Sequence, residues 1–285
     1  MKNRLIPALL FVLLSFAFFA GSASAQPVPG VKRTIYKADK FDFGSGGTIV
    51  VVGAPAGSVR VEGWSENVVQ VDATIEIAAD SEADLDLLSK VTGFVLQETL
   101  GRTVITSVGT HDKTFIKKTI KKFPKHLMGI PFRIDYVVKV PRYSDLQIDG
   151  GKGSLFVGGV DGTIRINYLD ADAKLELLGG GIFATIGGGS VDVSIPSRSW
   201  RGRFADVQLG SGTMNVSLPP SLNADVDANI LRSGSIDNKY AALKPKQRRA
   251  EFTERSIAAR SGTGGVPLKF TVGDGNMSIV QTAQP

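Results

Sequence analysis

Six acidic residues, Asp149, Asp161, Asp170, Asp172, Glu176 and Asp192, gather in one glycine-rich stretch of the chain. Clustered carboxylates of this kind act as acid, base or calcium ligands in polysaccharide lyases and hydrolases. Their spacing, however, follows outward strand and turn positions, where solvated acids are expected for no catalytic reason. The two histidines, His111 and His126, have no nucleophile motif near them, and two imidazoles alone do not complete a metal site. The chain has no cysteine, which excludes thiol nucleophiles, thiolate metal sites and disulfides. Gly150-Gly151-Lys152-Gly153-Ser154-Leu155 begins like a calcium-binding nonapeptide repeat, but Leu155 stands where the aspartate ligand belongs. No phosphate-binding loop occurs either. The expectation is therefore a protein without enzymatic activity, cofactor or metal, and a carbohydrate-active enzyme (lyase or hydrolase) on a β-helix is the alternative.

Two segments carry binding chemistry instead. The first runs from Lys113 to Leu127, where Phe115, Ile116, Ile120 and Phe123 share one side of a helical wheel and Lys117, Lys118, Lys121 and Lys122 lie opposite. Such a basic amphipathic segment suits an anionic lipid or surface polymer. Its plainer reading is an insertion that packs its apolar side and leaves the lysines in water. Pro124 is expected to end the helix. The second is Arg198-Ser199-Trp200-Arg201-Gly202-Arg203, a loop in which Trp200, Arg201 and Arg203 offer flat faces for a sugar ring or an acidic glycan. The plainer reading there is a tryptophan closing the edge of a core. Trp64, inside a strand phrase, is expected in the core, and Phe156, on an otherwise polar outward face, marks either a contact surface or a neighbouring strand.

The elements that must position these residues are short strands. From Asp145 onward, alternating segments recur every nine or ten residues or so: Leu146 and Ile148, Leu155 and Val157, Ile164 and Ile166, Leu175 and Leu177, then Val191, Val193 and Ile195, Val207 and Leu209, and Met214, Val216 and Leu218. Polar residues such as Gln147, Arg165, Asp192 and Asn215 fill the intervening positions, the period of a strand with one buried face. Glycine clusters punctuate them, as expected of tight turns at short intervals. Earlier strands are expected over 47–51, 57–64, 68–75, 94–96, 104–108 and 134–140. Asp80 or Ser81 caps a short helix whose apolar face is Leu85, Leu88 and Val91. Asn238 to Arg260 reads as a loop with some helix, ahead of final strands at 268–272 and 277–280. The pattern predicts an all-β chain, a β-solenoid or β-roll-like stack of glycine-punctuated strands with one or two short helices, because one thin rung cannot bury its face alone. A β-sandwich is the alternative.

At the amino end, Lys2 and Arg4 precede an apolar run from Leu5 to Ala20 that leads to Ala23-Ser24-Ala25. This is the pattern of a secretory signal peptide over 1–25, leaving one elongated domain over 26–285. Cleavage removes two of the 33 basic residues and no acidic ones, so 31 stand against 27, near +4. The expected address is extracytoplasmic: periplasm, cell surface or secreted. Expected partners are an anionic surface polymer, lipid or glycan, or another protein. Neither nucleic acid nor a membrane span after cleavage is expected.

Three phrases carry a likeness to a known family: Gly57-Ser-Val-Arg-Val-Glu-Gly-Trp64, Tyr136-Val-Val-Lys-Val-Pro141, and the closing run from Gly264 to Ile279 with its Gly273-Asp-Gly275 step. With the glycine-punctuated strands between them, the chain resembles the bacterial DUF4097 family of adhesin-like proteins over nearly its whole length after residue 25. The resemblance implies an exported, β-helix-like stack with an adhesive role. The matching phrases are strand-and-turn phrases with no catalytic signature, and the basic stretch from Lys113 to His126 stands outside the pattern.

Overall fold

The computed structural model describes residues 30–44, 46–99, 101–195, 200, 202–220, 222–248 and 251–282. In chain order the strands are β1 (Val31–Asp42), β2 (Thr48–Val52), β3 (Val59–Trp64), β4 (Val68–Ala79), β5 (Gly93–Thr99), β6 (Arg102–Val108), β7 (Arg133–Pro141), β8 (Asp145–Gly158), β9 (Thr163–Glu176), β10 (Gly181–Ser194), β11 (Phe204–Leu218), β12 (Ala224–Ser233), β13 (Ile236–Asn238), β14 (Lys244–Pro245), β15 (Ser256–Ser261) and β16 (Val266–Gln281). The helices are α1 (Glu82–Val91) and α2 (Lys113–Thr119). All sixteen strands join one sheet that does not close on itself.

Its centre is the run β8-β9-β10-β11-β16, five long strands paired in parallel and in register. Leu146 lies beside Ile164, Ile164 beside Ile182, and Ile182 beside Ala205. Each of these strands is two short segments joined through a bend, which is glycine-rich in β8, β10, β11 and β16 and is formed by Leu169-Asp170-Ala171 in β9. Segments that read as separate strands in the sequence, Leu146/Ile148 and Leu155/Val157, are the two halves of β8, and the same holds for β9 and β11. The recurrence of nine or ten residues is thus half of a rung. The bend also explains how the sheet branches. The first half of β8 pairs with β2 and its second half with β3. At the other end β16 pairs with β12 and then β13.

One column of glycines makes the bend possible. Gly212 pairs with Gly189 on one side and Gly275 on the other, and the three have φ of 133°, 110° and 138°; on β9 the same row holds Ala171. A Cβ on Gly212 would lie 1.8 Å from the carbonyl oxygen of Gly189, and one on Gly275 1.8 Å from that of Gly212. Positive φ and the close approach of neighbouring backbones both demand glycine there.

The alternating aliphatics point inward as their period requires. Val157, Ile166, Leu177 and Val193 are all buried in a single hydrophobic cluster that extends from Phe43 to Ile279. α1 begins at Ser81, whose hydroxyl accepts from the Asp84 amide, and it buries Leu85, Leu88 and Val91. Between Asn238 and Arg260, where a loop with some helix was expected, the described residues contain β14 and most of β15 and no helix. Ile257 and Ala259 alternate inward there, too briefly to register as a pattern beside so many basic residues.

Candidate functional site

On the outer face of β7, β3, β8 and β9, register alone assembles a groove of about 560 Å³. Val59 and Val61 of β3 point into the core, so Arg60, Glu62 and Trp64 face out. Parallel pairing sets Arg60 beside Phe156 and Phe156 beside Lys174, while Lys139 lies beside Glu62 and Glu62 beside Gly158. Glu176 lines the same groove. Gly158 supplies a floor without a side chain, and a Cβ built there would come within 2.9 Å of the Phe156 ring.

The polar groups are arranged in pairs. Arg60 Nε donates to Glu62 Oε1 at 2.8 Å, and Lys174 Nζ meets Glu176 Oε1 at 2.9 Å. The Arg60 guanidinium lies 4.0 Å from the Phe156 ring centroid, with Lys174 at 5.8 Å. Lys139 stands 5.5 Å from the Trp64 ring, and the Trp64 indole N–H donates to the Val68 carbonyl at 2.8 Å, which fixes the ring's attitude. Cations at these distances from aromatic faces are attracted by the ring quadrupole. The arrangement can therefore present flat apolar faces beside hydrogen-bonding pairs, which is binding chemistry.

Of the two readings given for Trp200 the plainer one holds, whereas Trp64 departs from its expected place. Trp200, offered as a sugar-stacking ring or as a ring closing the edge of a core, is 9% exposed and belongs to the core cluster. Its ring lies against Gly202, where a Cβ would fall 1.8 Å from Cζ2. The physical reason is the plainer one: a large ring at the edge of an aliphatic core gains more from burial than from display. Arg203 is exposed and donates to the Thr163 hydroxyl at 2.8 Å, whereas Arg198 and Arg201 lie outside the described residues. Trp64, expected in the core, is half-buried and lines the groove.

Lys117, Lys118, Lys121 and Lys122 are all exposed, with Ile116 buried beneath them. The helix stops at Thr119, well before Pro124. Two consecutive β-branched residues, Thr119 and Ile120, favour leaving the helix there, and Ile120 is already extended. Lys121 and Lys122 therefore follow the helix rather than sit on it. Among the described residues none of the four lysines forms an ion pair. These lysines do not join the groove, and Trp200 and Arg203 do not either.

The acidic residues singled out from sequence do not converge among the described residues. Asp149 accepts from Gln147 and Asn167, Asp172 from Ser190, and Asp192 from Asn215, while Asp170 faces Lys152 at 3.9 Å. His111 stacks on Phe132, and His126 lies 3.2 Å from Asp84. No group of three or more potential metal ligands occurs among the described residues. No helix among them is long and apolar enough to cross a membrane.

No known family's sequence pattern matches the chain, and no curated protein does. Among solved structures, a "putative cell adhesion protein" from Clostridium sporogenes is similar, with a TM-score of 0.51 at 13% identity over 88% of this chain and 100% of that one. That likeness shows a shared fold. A "putative adhesin" from Bacteroides fragilis overlaps at a TM-score of 0.32 and 9% identity over 87% of this chain and 97% of its own, and a "putative lipid binding protein" from Parabacteroides distasonis at 0.22 and 12% over the same shares. The last two superpositions are too loose to argue from.

Proposed function

We propose that this chain is an exported, non-catalytic protein of the cell envelope or cell surface, which holds a surface polymer against the outer face of a β-solenoid in the manner of an adhesin. The leader-like pattern over 1–25 supports export. Parallel rungs in continuous register support a solenoid over a sandwich, whose sheets are built from antiparallel strands. The DUF4097 resemblance and the name given to the Clostridium protein agree with the role.

The observation that carries the proposal is the groove. Two aromatic rings and three cations brought outward from four strands contribute little to a core, and they form a surface that can grip a partner. Each groove carboxylate is engaged by its own cation, an arrangement suited to binding and not to a free general acid or base. The test is co-sedimentation of the purified protein with isolated envelope polysaccharide, beside the double variant Trp64→Ala/Phe156→Ala. Retention of the parent and loss of the variant is expected. Equal sedimentation of both, or release of new reducing ends or unsaturated product by the parent, overturns the proposal.

The exposed lysines favour a second reading in which the segment around α2 rests on an anionic lipid surface. Four exposed lysines, none in an ion pair among the described residues, beside a buried Ile116 are the observation behind it.

A further inference from the structure

We infer that the groove takes a hydroxyl-rich, uncharged polysaccharide that lies across the strands, along the stacking direction, and that it does not take a polyanion. This rests on the groove being the binding site, as proposed above.

The charge arrangement selects the ligand class. Of the three groove cations, Arg60 and Lys174 are each engaged by a carboxylate of the groove itself. A polyanion approaching Phe156 would meet Glu62 and Glu176 on the same face, and to gain Arg60 or Lys174 it would have to break that cation's pair with its carboxylate. A sugar hydroxyl, which donates and accepts at once, suits a side-by-side carboxylate and ammonium or guanidinium without breaking them. The rings complete the match, since the C–H faces of a pyranose stack on flat apolar surfaces such as those of Trp64 and Phe156. The indole is held in place through its bond to the Val68 carbonyl.

Register selects the direction. Neighbouring strands lie about 4.8 Å apart, so each in-register row presents one outward side chain per rung. The row through Phe156 and Lys174 continues to Asp192 on β10 and Asn215 on β11. The row through Glu176 continues to Ser194 and Ser217. Asn215 Nδ2 donates to Asp192 Oδ1 at 2.7 Å, leaving a second N–H donor and the carbonyl acceptor on Asn215 and further acceptors on Asp192. Beyond the aromatic platform the two rows are therefore a track of short polar side chains, and a chain anchored at the rings can continue along it.

The experiment is a glycan array carrying neutral and acidic oligosaccharides of increasing length, followed by calorimetry on the best binders at low and high salt. The expected result is preference for neutral glycans, affinity that rises with length, and little change with salt. Trp64→Ala should weaken binding about tenfold, with Trp64→Phe restoring most of it and thermal unfolding reporting that each variant is folded. Asn215→Ala with Ser217→Ala should weaken long oligosaccharides and leave short ones unchanged. Salt-sensitive preference for acidic glycans that is lost in Trp64→Ala would overturn this inference while leaving the groove as the binding site. Equal affinity for short and long glycans would overturn the direction. Glycan binding indifferent to Trp64→Ala would remove the underlying reading as well.

Discussion

Replacing Gly212 by alanine puts the scaffold itself to the test. Gly212 has φ of 133°, and a Cβ there would sit 1.8 Å from the Gly189 carbonyl oxygen, a backbone atom that no rotamer change can move aside. Two costs add. An L side chain at such a φ costs about 1–3 kcal/mol, and the forced separation of two packed rungs adds about 1–3 kcal/mol, as overpacking does elsewhere. A total of about 2–6 kcal/mol is a large share of the roughly 5–15 kcal/mol that stabilises an ordinary domain. Gly46 is the control, because it has φ of 85° and nothing within 4 Å of its would-be Cβ. Gly46→Ala carries only the backbone term, about 1–2 kcal/mol. Urea unfolding followed by far-ultraviolet circular dichroism compares the midpoints at constant slope. Failure of Gly212→Ala to accumulate as folded protein would point the same way. A Gly212→Ala protein no less stable than Gly46→Ala would refute the stacked column.

The tryptophans should separate by stability: Trp200→Ala should cost about 3–5 kcal/mol as a core truncation, and Trp64→Ala distinctly less, so equal losses in urea unfolding would contradict their placement. Burial raises Tyr168 to about 12, and it raises Tyr136 to about 12 against a smaller opposing effect of the Ser107 hydrogen bond. A raised folded-state pKa favours the protonated phenol in the fold, so its stabilisation is complete below about pH 10 and is lost as pH climbs toward 12, on the order of 2–3 kcal/mol per tyrosine. Tyr168→Phe should flatten part of that alkaline loss in pH-dependent unfolding, and an unchanged profile would count against it. Changing Lys117, Lys118, Lys121 and Lys122 to glutamine should abolish any salt-sensitive binding to anionic vesicles, and equal binding by the quadruple variant would dispose of the lipid-surface reading.

Local patterns were legible from the chain alone. Asp80 or Ser81 announced α1, of which Ser81 is the cap, and the inward aliphatics of β8, β9 and β11 followed from strict alternation. Of the strands that were not legible, two show different reasons. β1 directs Arg33 and Lys37 to the same side as Val31 and Ile35, which erases the two-residue hydrophobic period. Arg33 is held there by Glu82 and Asp86 of α1, at 2.6 and 2.7 Å, a partnership invisible in a local window. In the first half of β10, Phe183 faces outward beside Phe204, so an aromatic stands where a polar residue would have marked the outer face. The groove was illegible because its members come from β3, β7, β8 and β9, and only register unites them. One signal did exist for Trp64. With Val59 and Val61 inward, parity alone turns residues 60, 62 and 64 outward, and the bulk of the indole concealed that parity.

That parity also bears on why the groove exists. Stability in this fold comes from the inward column of each strand, and the outward column is free to vary. Arg60 and Glu62 have side-chain exposures of 48% and 34%, and Lys174 and Glu176 of 59% and 39%, and ion pairs so open to water contribute about 0–1 kcal/mol at most. Phe156 gives up part of the burial available to a phenylalanine, and Gly158 gives up strand propensity to make room beneath its ring. None of these choices improves the core, and together they cost it a little. A cluster that the scaffold does not need, gathered by register onto one outward face and keeping its rings partly exposed, is accounted for by a partner that meets that face.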